Sequence, residues 1–270
     1  LPFVFAASSC NNNSESTTTT STDEKKDSMN ITQDQVGYPD DSASLTGFVS
    51  YNANVEGKRP VVLVVHEWWG LTDYPKKRAM QLAEMGYLAM AVDIYGDGKK
   101  AEDVAQASAL SSTFYSNPQL ANSRIEAALA KIKTYPQADT TKIAAIGYCF
   151  GGGILLNYAK LGGNMNGIVS FHGSLAGVQP KKELLKSKIL VCHGGADPFV
   201  PENDVNAFKK SMDSINADYT FKVYPGASHA FTNPEATAMG QKFKIPIAYN
   251  AAADSASWKD MKEFFSKIFQ

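Results

Sequence analysis

Cysteine and histidine are scarce here, at three and four of 270 residues. Three cysteines cannot build a disulfide scaffold, and no Cys/His cluster has the spacing of a zinc site, so no metal is expected. An excess of either charge is also missing. Lys plus Arg number 26 against 27 Asp plus Glu, a net charge of −1. Nothing therefore draws the chain to a polyanion, and nucleic acid is not expected as a partner. No apolar run approaches the ~18 residues of a membrane-spanning helix. What remains is a chain long enough for one large α/β domain or two small ones, with a core that needs no staple.

The first residues differ from the rest. Residues 1–9 (LPFVFAASS) are apolar and then small, Cys10 follows, and eleven of residues 11–22 are Asn, Ser or Thr. The order resembles the end of a bacterial lipoprotein signal peptide, in which Cys10 would be lipidated and the polar tract would act as a disordered tether. Residues 1–28 are therefore set apart from the folded domain, expected over 29–270. The expected location is outside the cytoplasm, in the bacterial periplasm or anchored to a membrane by lipid.

From Leu45 onward two kinds of segment alternate. Strand-like runs cover Leu45–Tyr51, Val61–His66, Tyr87–Asp93, Lys142–Gly147, Gly167–His172, Lys188–His193 and Tyr219–Tyr224. Several, such as VVLVV and ILVC, are continuously apolar, as strands buried on both faces of a parallel sheet must be. Helical stripes lie between them: Ile125, Ala128, Leu129 and Ile132 after Asn117-Pro118, then Val205, Phe208, Met212 and Ile215. A closing stripe runs through Trp258, Met261, Phe265 and Phe269. This alternation predicts a single α/β domain, a mostly parallel, doubly wound sheet flanked by helices.

In such sheets chemistry gathers at the carboxyl ends of the strands. All four histidines fall there, in His66-Glu67-Trp68-Trp69, His172-Gly173, His193-Gly194-Gly195-Ala196-Asp197 and Ser228-His229-Ala230-Phe231. Between a strand and a helical run lies Gly147-Tyr148-Cys149-Phe150-Gly151, the G-x-nucleophile-x-G elbow with cysteine in place of serine. A dinucleotide loop would need G-x-G-x-x-G near the first strand, which is absent, so no cofactor is expected. A nucleophile needs a base, and the base an orienting acid, in the chain order nucleophile, acid, histidine. Asp197 and His229 fit that order, while His66, His172 and His193 stand as other bases or as hydrogen-bonded structural groups. Cys192, inside an apolar strand, reads as a buried inert thiol.

With these residues in place, the chain from about Leu45 to Gln270 resembles the dienelactone hydrolase family, α/β-hydrolases with a Cys-His-Asp triad. The matching stretches are VVLVVHEWWGL, GYLAMAVDIYG, IAAIGYCFGGG, VSFHG, VCHGGADPFVP, SHAFTNP and AYNAAADSASW. The resemblance implies the α/β-hydrolase fold and adds Glu67, whose counterpart hydrogen-bonds the resting thiol and later takes its proton. It also implies an oxyanion hole from the Trp68 and Phe150 amides, with Trp68, Trp69, Tyr95, Phe199 and Asn233 around the substrate. Two arginines that bind a substrate carboxylate in the family are absent. One would follow Asp93-Ile94-Tyr95, where Lys99 and Lys100 are nearby, and Asn233 occupies the other position.

The expected activity is hydrolysis of a small carboxylic ester or lactone through a cysteine thioester, by a chain taken as a monomer. The rival expectation is an exported binding or thiol-sensing protein that keeps the fold but hydrolyses little.

Overall fold

The apolar runs form the centre of one twisted sheet. The computed structural model describes residues 1–4, 29–40 and 42–270. Cys10 and the polar tract expected to act as its tether lie outside these residues. The sheet contains β1 (Ile31–Asp40), β2 (Ala43–Asn52), β3 (Arg59–Val65), β4 (Leu88–Val92), β5 (Ala138–Tyr148), β6 (Gly167–Phe171), β7 (Lys188–Gly194) and β8 (Tyr219–Tyr224). Their order is β1-β2-β4-β3-β5-β6-β7-β8. Strands β1 and β2 pair antiparallel, β2 meets β4 antiparallel, and every pairing from β4 to β8 is parallel. Strand β1 has no counterpart among the expected strands. It is a half-buried edge strand with Gln, Asp, Gly and Pro in its ten residues, so it carries no apolar run to read.

Helices cover both faces. On one lie α1 (Asp73–Glu84) and α7 (Ala251–Ile268); on the other lie α2 (Val104–Ser116), α3 (Pro118–Ile132), α4 (Phe150–Lys160) and α5 (Glu202–Ser214), with the short α6 (Ala236–Phe243) near the strand ends. Strand β3 shows how the layers are filled. Val61, Leu63 and Val65 join the cluster with Phe114, Ile125 and Leu155, while Val62 and Val64 join the one with Leu82, Met261 and Phe265. A strand buried on both faces has no polar side to display, hence the unbroken VVLVV. Helix α3 begins as its sequence suggests: the Asn117 side chain accepts from the Leu120 amide at 3.2 Å, and Pro118 occupies the first helical position. The buried Arg124–Asp40 pair at 2.7 Å fastens β1 to this helix. No helix among the described residues is long and apolar enough to cross a membrane.

Candidate active site

The parallel strands end together, and five of the six deliver a part of the site. The residues after β3 are Glu67, Trp68 and Trp69; Cys149 follows β5, His172 follows β6, Asp197 follows β7 and His229 follows β8. The elbow explains the glycines around the cysteine. Cys149 has φ 52° and ψ −114°, a left-handed conformation that costs a non-glycine residue about 1–3 kcal/mol. A Cβ on Gly147 would stand 2.4 Å from Gly151 backbone atoms, and one on Gly151 would stand 2.4 Å from the Val65 carbonyl. Only glycine lets strand, turn and helix approach this closely, and the approach puts Sγ at the head of α4.

The His229 Nδ1 lies 2.8 Å from Asp197 Oδ2, and the other Asp197 oxygen accepts from the Phe199 amide at 2.8 Å. Cys149 stands on the other side of the same imidazole, close enough to influence its protonation. Burial alone would push the His229 pKa down, but its interactions with Cys149 and Asp197 on either side raise it to about 10. The ring therefore holds a proton at neutral pH. The Phe150 amide is the first of α4 and has no acceptor within its own helix. The Trp68 amide belongs to a turn, and among the described residues it meets no acceptor. Both are free to receive an oxyanion.

Glu67 occupies a different position from the one implied by the family resemblance. Its Oε2 accepts from Asn233 Nδ2 at 2.7 Å, and it makes no hydrogen bond to the thiol. Burial raises its pKa to about 7, against the lowering effects of Asn233 and the nearby positive charges of His229 and Arg78. The glutamate is thus partnered by Asn233.

A cleft of about 140 Å³ opens beside Cys149. Glu67, Trp68, Trp69, Phe199 and His229 line it, as do Tyr115, Ser174, Val200, Ala230 and Ile247. Two expected wall residues do not. Tyr95 is buried beneath the turn, where its hydroxyl donates to the Trp68 carbonyl at 2.8 Å and its ring packs on Phe150 and His66. Asn233 is buried behind Glu67, on a separate depression that Glu67 and Trp69 also border. Lys99 and Lys100 face yet another depression, with Asp93 and Phe48. Sequence reasoning did not single out Tyr115 or Ile247. Tyr115 sits on α2, a helix whose buried stripe is only Ala107, Ser111 and Phe114. Ile247 reaches the site through a backbone bridge to His229 that no local pattern announces.

Two of the other histidines, His66 and His172, are held in buried hydrogen bonds. His66 Nδ1 donates to the Glu67 carbonyl at 2.6 Å and its Nε2 accepts from the Ile94 amide; burial lowers its pKa to about 4. His193 borders a different hollow. The Cys149 amide is shared between the Phe171 carbonyl at 3.0 Å and His172 Nδ1 at 3.1 Å; with Nδ1 accepting, Nε2 bears the proton and donates to Thr232 Oγ1 at 2.7 Å. Burial holds its pKa well below the usual imidazole range. Thr232 in turn meets Tyr74, and Arg78 donates to the Thr232 carbonyl at 2.6 Å and to Asp254 of α7 at 2.5 Å. This buried chain ties the nucleophile's backbone to the loop that carries His229, and none of its distant pairings is visible in sequence. Cys192 is a free, buried thiol that accepts from the Tyr224 hydroxyl, and its pKa is pushed up to about 12 by burial.

The family model described as "Dienelactone hydrolase family" matches residues 45–269. A Methylorubrum extorquens protein named "Putative carboxymethylenebutenolidase" is 28% identical over 221 residues, covering 77% of this chain and 72% of that protein. Among solved structures, a dienelactone hydrolase-like promiscuous phosphotriesterase from metagenomic libraries is 33% identical. It superposes with a TM-score of 0.82, covering 88% of this chain and 98% of that one. A structure titled "m3DLH" is 31% identical with a TM-score of 0.83, covering 89% and 99%.

Proposed function

The chain belongs to the dienelactone hydrolase family and is an ester or lactone hydrolase, and from that premise we propose that it works through a cysteine acyl-enzyme. The observation that carries this reading is the file Cys149–His229–Asp197 at an elbow, with two unclaimed amides beside it.

Cys149 attacks as a thiolate while the imidazole beside it holds the proton. An S–C bond forms, the carbonyl oxygen takes the electron pair, and the Trp68 and Phe150 amides receive it. Such donors contribute about 3 kcal/mol each to the transition state. The intermediate collapses by breaking the C–O bond, and His229 gives its proton to the departing alkoxide. The thioester carries no charge on sulfur, so one of the two influences that raised the His229 pKa is gone. The imidazole can then take a proton from water, whose oxygen bonds to the acyl carbon as the C–S bond breaks. Asp197 keeps the ring oriented throughout. Glu67, neutral below about pH 7, leaves thiolate and oxyanion unopposed; once ionised, it repels both. No cofactor takes part in these steps, and one chain supplies every residue of them.

Purified protein is expected to hydrolyse short-chain aryl esters and small lactones, and Cys149→Ala to lose that turnover. Equal rates for the two proteins across the panel would overturn the mechanism. Export and anchoring through Cys10 belong to the same proposal, supported by the apolar, small-residue and cysteine order of residues 1–10. Fractionation of cells expressing the natural precursor should find wild type with membranes and Cys10→Ser in the soluble fraction. The same distribution for both would remove the anchor.

A further inference from the structure

We infer that the substrate is uncharged where it enters the cleft and seats there one compact apolar group about the size of a benzene ring. This deepens, and rests on, the ester or lactone hydrolase reading.

The lining carries the inference. Trp68, Trp69, Tyr115, Phe199, Val200 and Ile247 supply the walls, and no lysine or arginine is among the residues that line the cleft. Several cationic groups of this half of the molecule are engaged elsewhere, and Lys242 lies over the Phe243 ring on the neighbouring depression, outside the cleft lining. His229 stands between Asp197 and Cys149, so its charge is matched before any substrate arrives. Arg78 donates to the Thr232 carbonyl, Asp254, Gln81 and Tyr74, and does not reach the cleft. Lys76, Lys99 and Lys100 gather around the separate depression that holds Asp93 and Phe48. There Lys76 lies 4.1 Å from the Phe48 ring centroid and pairs with Asp73, and Lys99 pairs with Asp97. A carboxylate entering beside Cys149 would give up its water, find no lysine or arginine and only an imidazole already held by Asp197, and face Glu67. Stripping solvent from an ion without supplying a partner is among the costliest events in a protein interior.

Size and access agree. A cavity of about 140 Å³ is close to the ~150 Å³ apolar cavity that accepts benzene. Two aromatic side chains at the cleft, Tyr115 and Phe199, are 39% and 47% exposed, while Trp69 is 5% exposed. Phe199 also covers the base, its ring 5.1 Å from that of His229. The cleft therefore grades from a closed indole wall to an open aromatic rim, where the rest of a substrate can leave toward solvent.

Two substrate pairs test this on the wild-type protein, each rate corrected for the uncatalysed reaction. One pair is 4-acetoxybenzoate and its methyl ester, with the charge on the leaving group. The other is monophenyl glutarate and its methyl ester, with the charge on the acyl side. At pH 7 and low ionic strength, kcat/KM for the neutral member is expected to be at least tenfold higher in one pair or both. A smaller preference in both pairs overturns the inference and leaves the cysteine mechanism standing. Turnover of the four compounds that Cys149→Ala leaves intact overturns that mechanism instead.

Discussion

Two carboxylates border one nucleophile, and their surroundings differ. Asp197 faces the His229 imidazolium and a backbone amide, so its negative charge is matched by a positive one at 2.8 Å. Glu67 faces the neutral amide of Asn233 and the aromatic floor of the cleft, so burial lifts its pKa to about 7. The two therefore serve different purposes: one is a fixed counter-charge, the other a group that changes charge within the working pH range. Burial alone does not decide what a carboxylate does; the charge of its partner does.

Breaking the Asp197 side should have the largest effect. Asp197→Asn frees the imidazole to adopt the wrong tautomer, and kcat for phenyl acetate should fall about a thousandfold or more at every pH tested. On the Glu67 side, Glu67→Gln should cost only about tenfold at pH 6. In wild type, kcat/KM should decline above pH 7 as Glu67 ionises, and in Glu67→Gln that decline should vanish. A loss as large as that of Asp197→Asn would place the thiol's proton on the glutamate rather than on His229.

The same substitution should raise stability. A carboxylate whose pKa rises from 4.5 to about 7 on folding stabilises the protein below pH 4.5, and this contribution is lost as pH rises through 7. Above pH 7 the wild type thus bears a buried charge that glutamine does not. Glu67→Gln should be more stable there by about 1–3 kcal/mol, and thermal melts at pH 8 and pH 5 should differ in that direction. Asn233→Leu sharpens the comparison further. Without the amide that stabilises the carboxylate, the pH limb should move up by about one unit while the His229 side is untouched. His172→Asn should have the smallest effect. Its carboxamide oxygen can still accept from the Cys149 amide, so it should retain several-fold more kcat than His172→Gln at unchanged KM.

The same contrast separates what the sequence discloses from what it conceals. The buried strands announce themselves because a strand covered on both faces must be apolar throughout. The edge strand β1, half-buried and polar, does not. Cys149, Asp197 and His229 sit at strand ends, where position along the chain implies position in space. The Asn233–Glu67 bond joins residues 166 apart and follows no local period, and the Thr232–His172 link is of the same kind. Tyr95 and Asn233 are adjacent to the motifs yet turn away from the cleft, because chain proximity places a backbone and says little about where a side chain points. Helix α1 was missed for a related reason: its inner face carries Arg78, a charge that looks exposed until its partners from the His229 loop and α7 are seen.

The central claim is that turnover passes through an acyl group on Cys149. The most direct measurement is rapid acid quenching of the protein with phenyl acetate, followed by mass spectrometry of the peptide containing Cys149. The account predicts an acetyl adduct on that cysteine within the first turnover, decaying as phenyl acetate is exhausted, and absent when Cys149 is replaced by alanine. Steady turnover with Cys149 unmodified throughout, or an adduct on another residue, would contradict it.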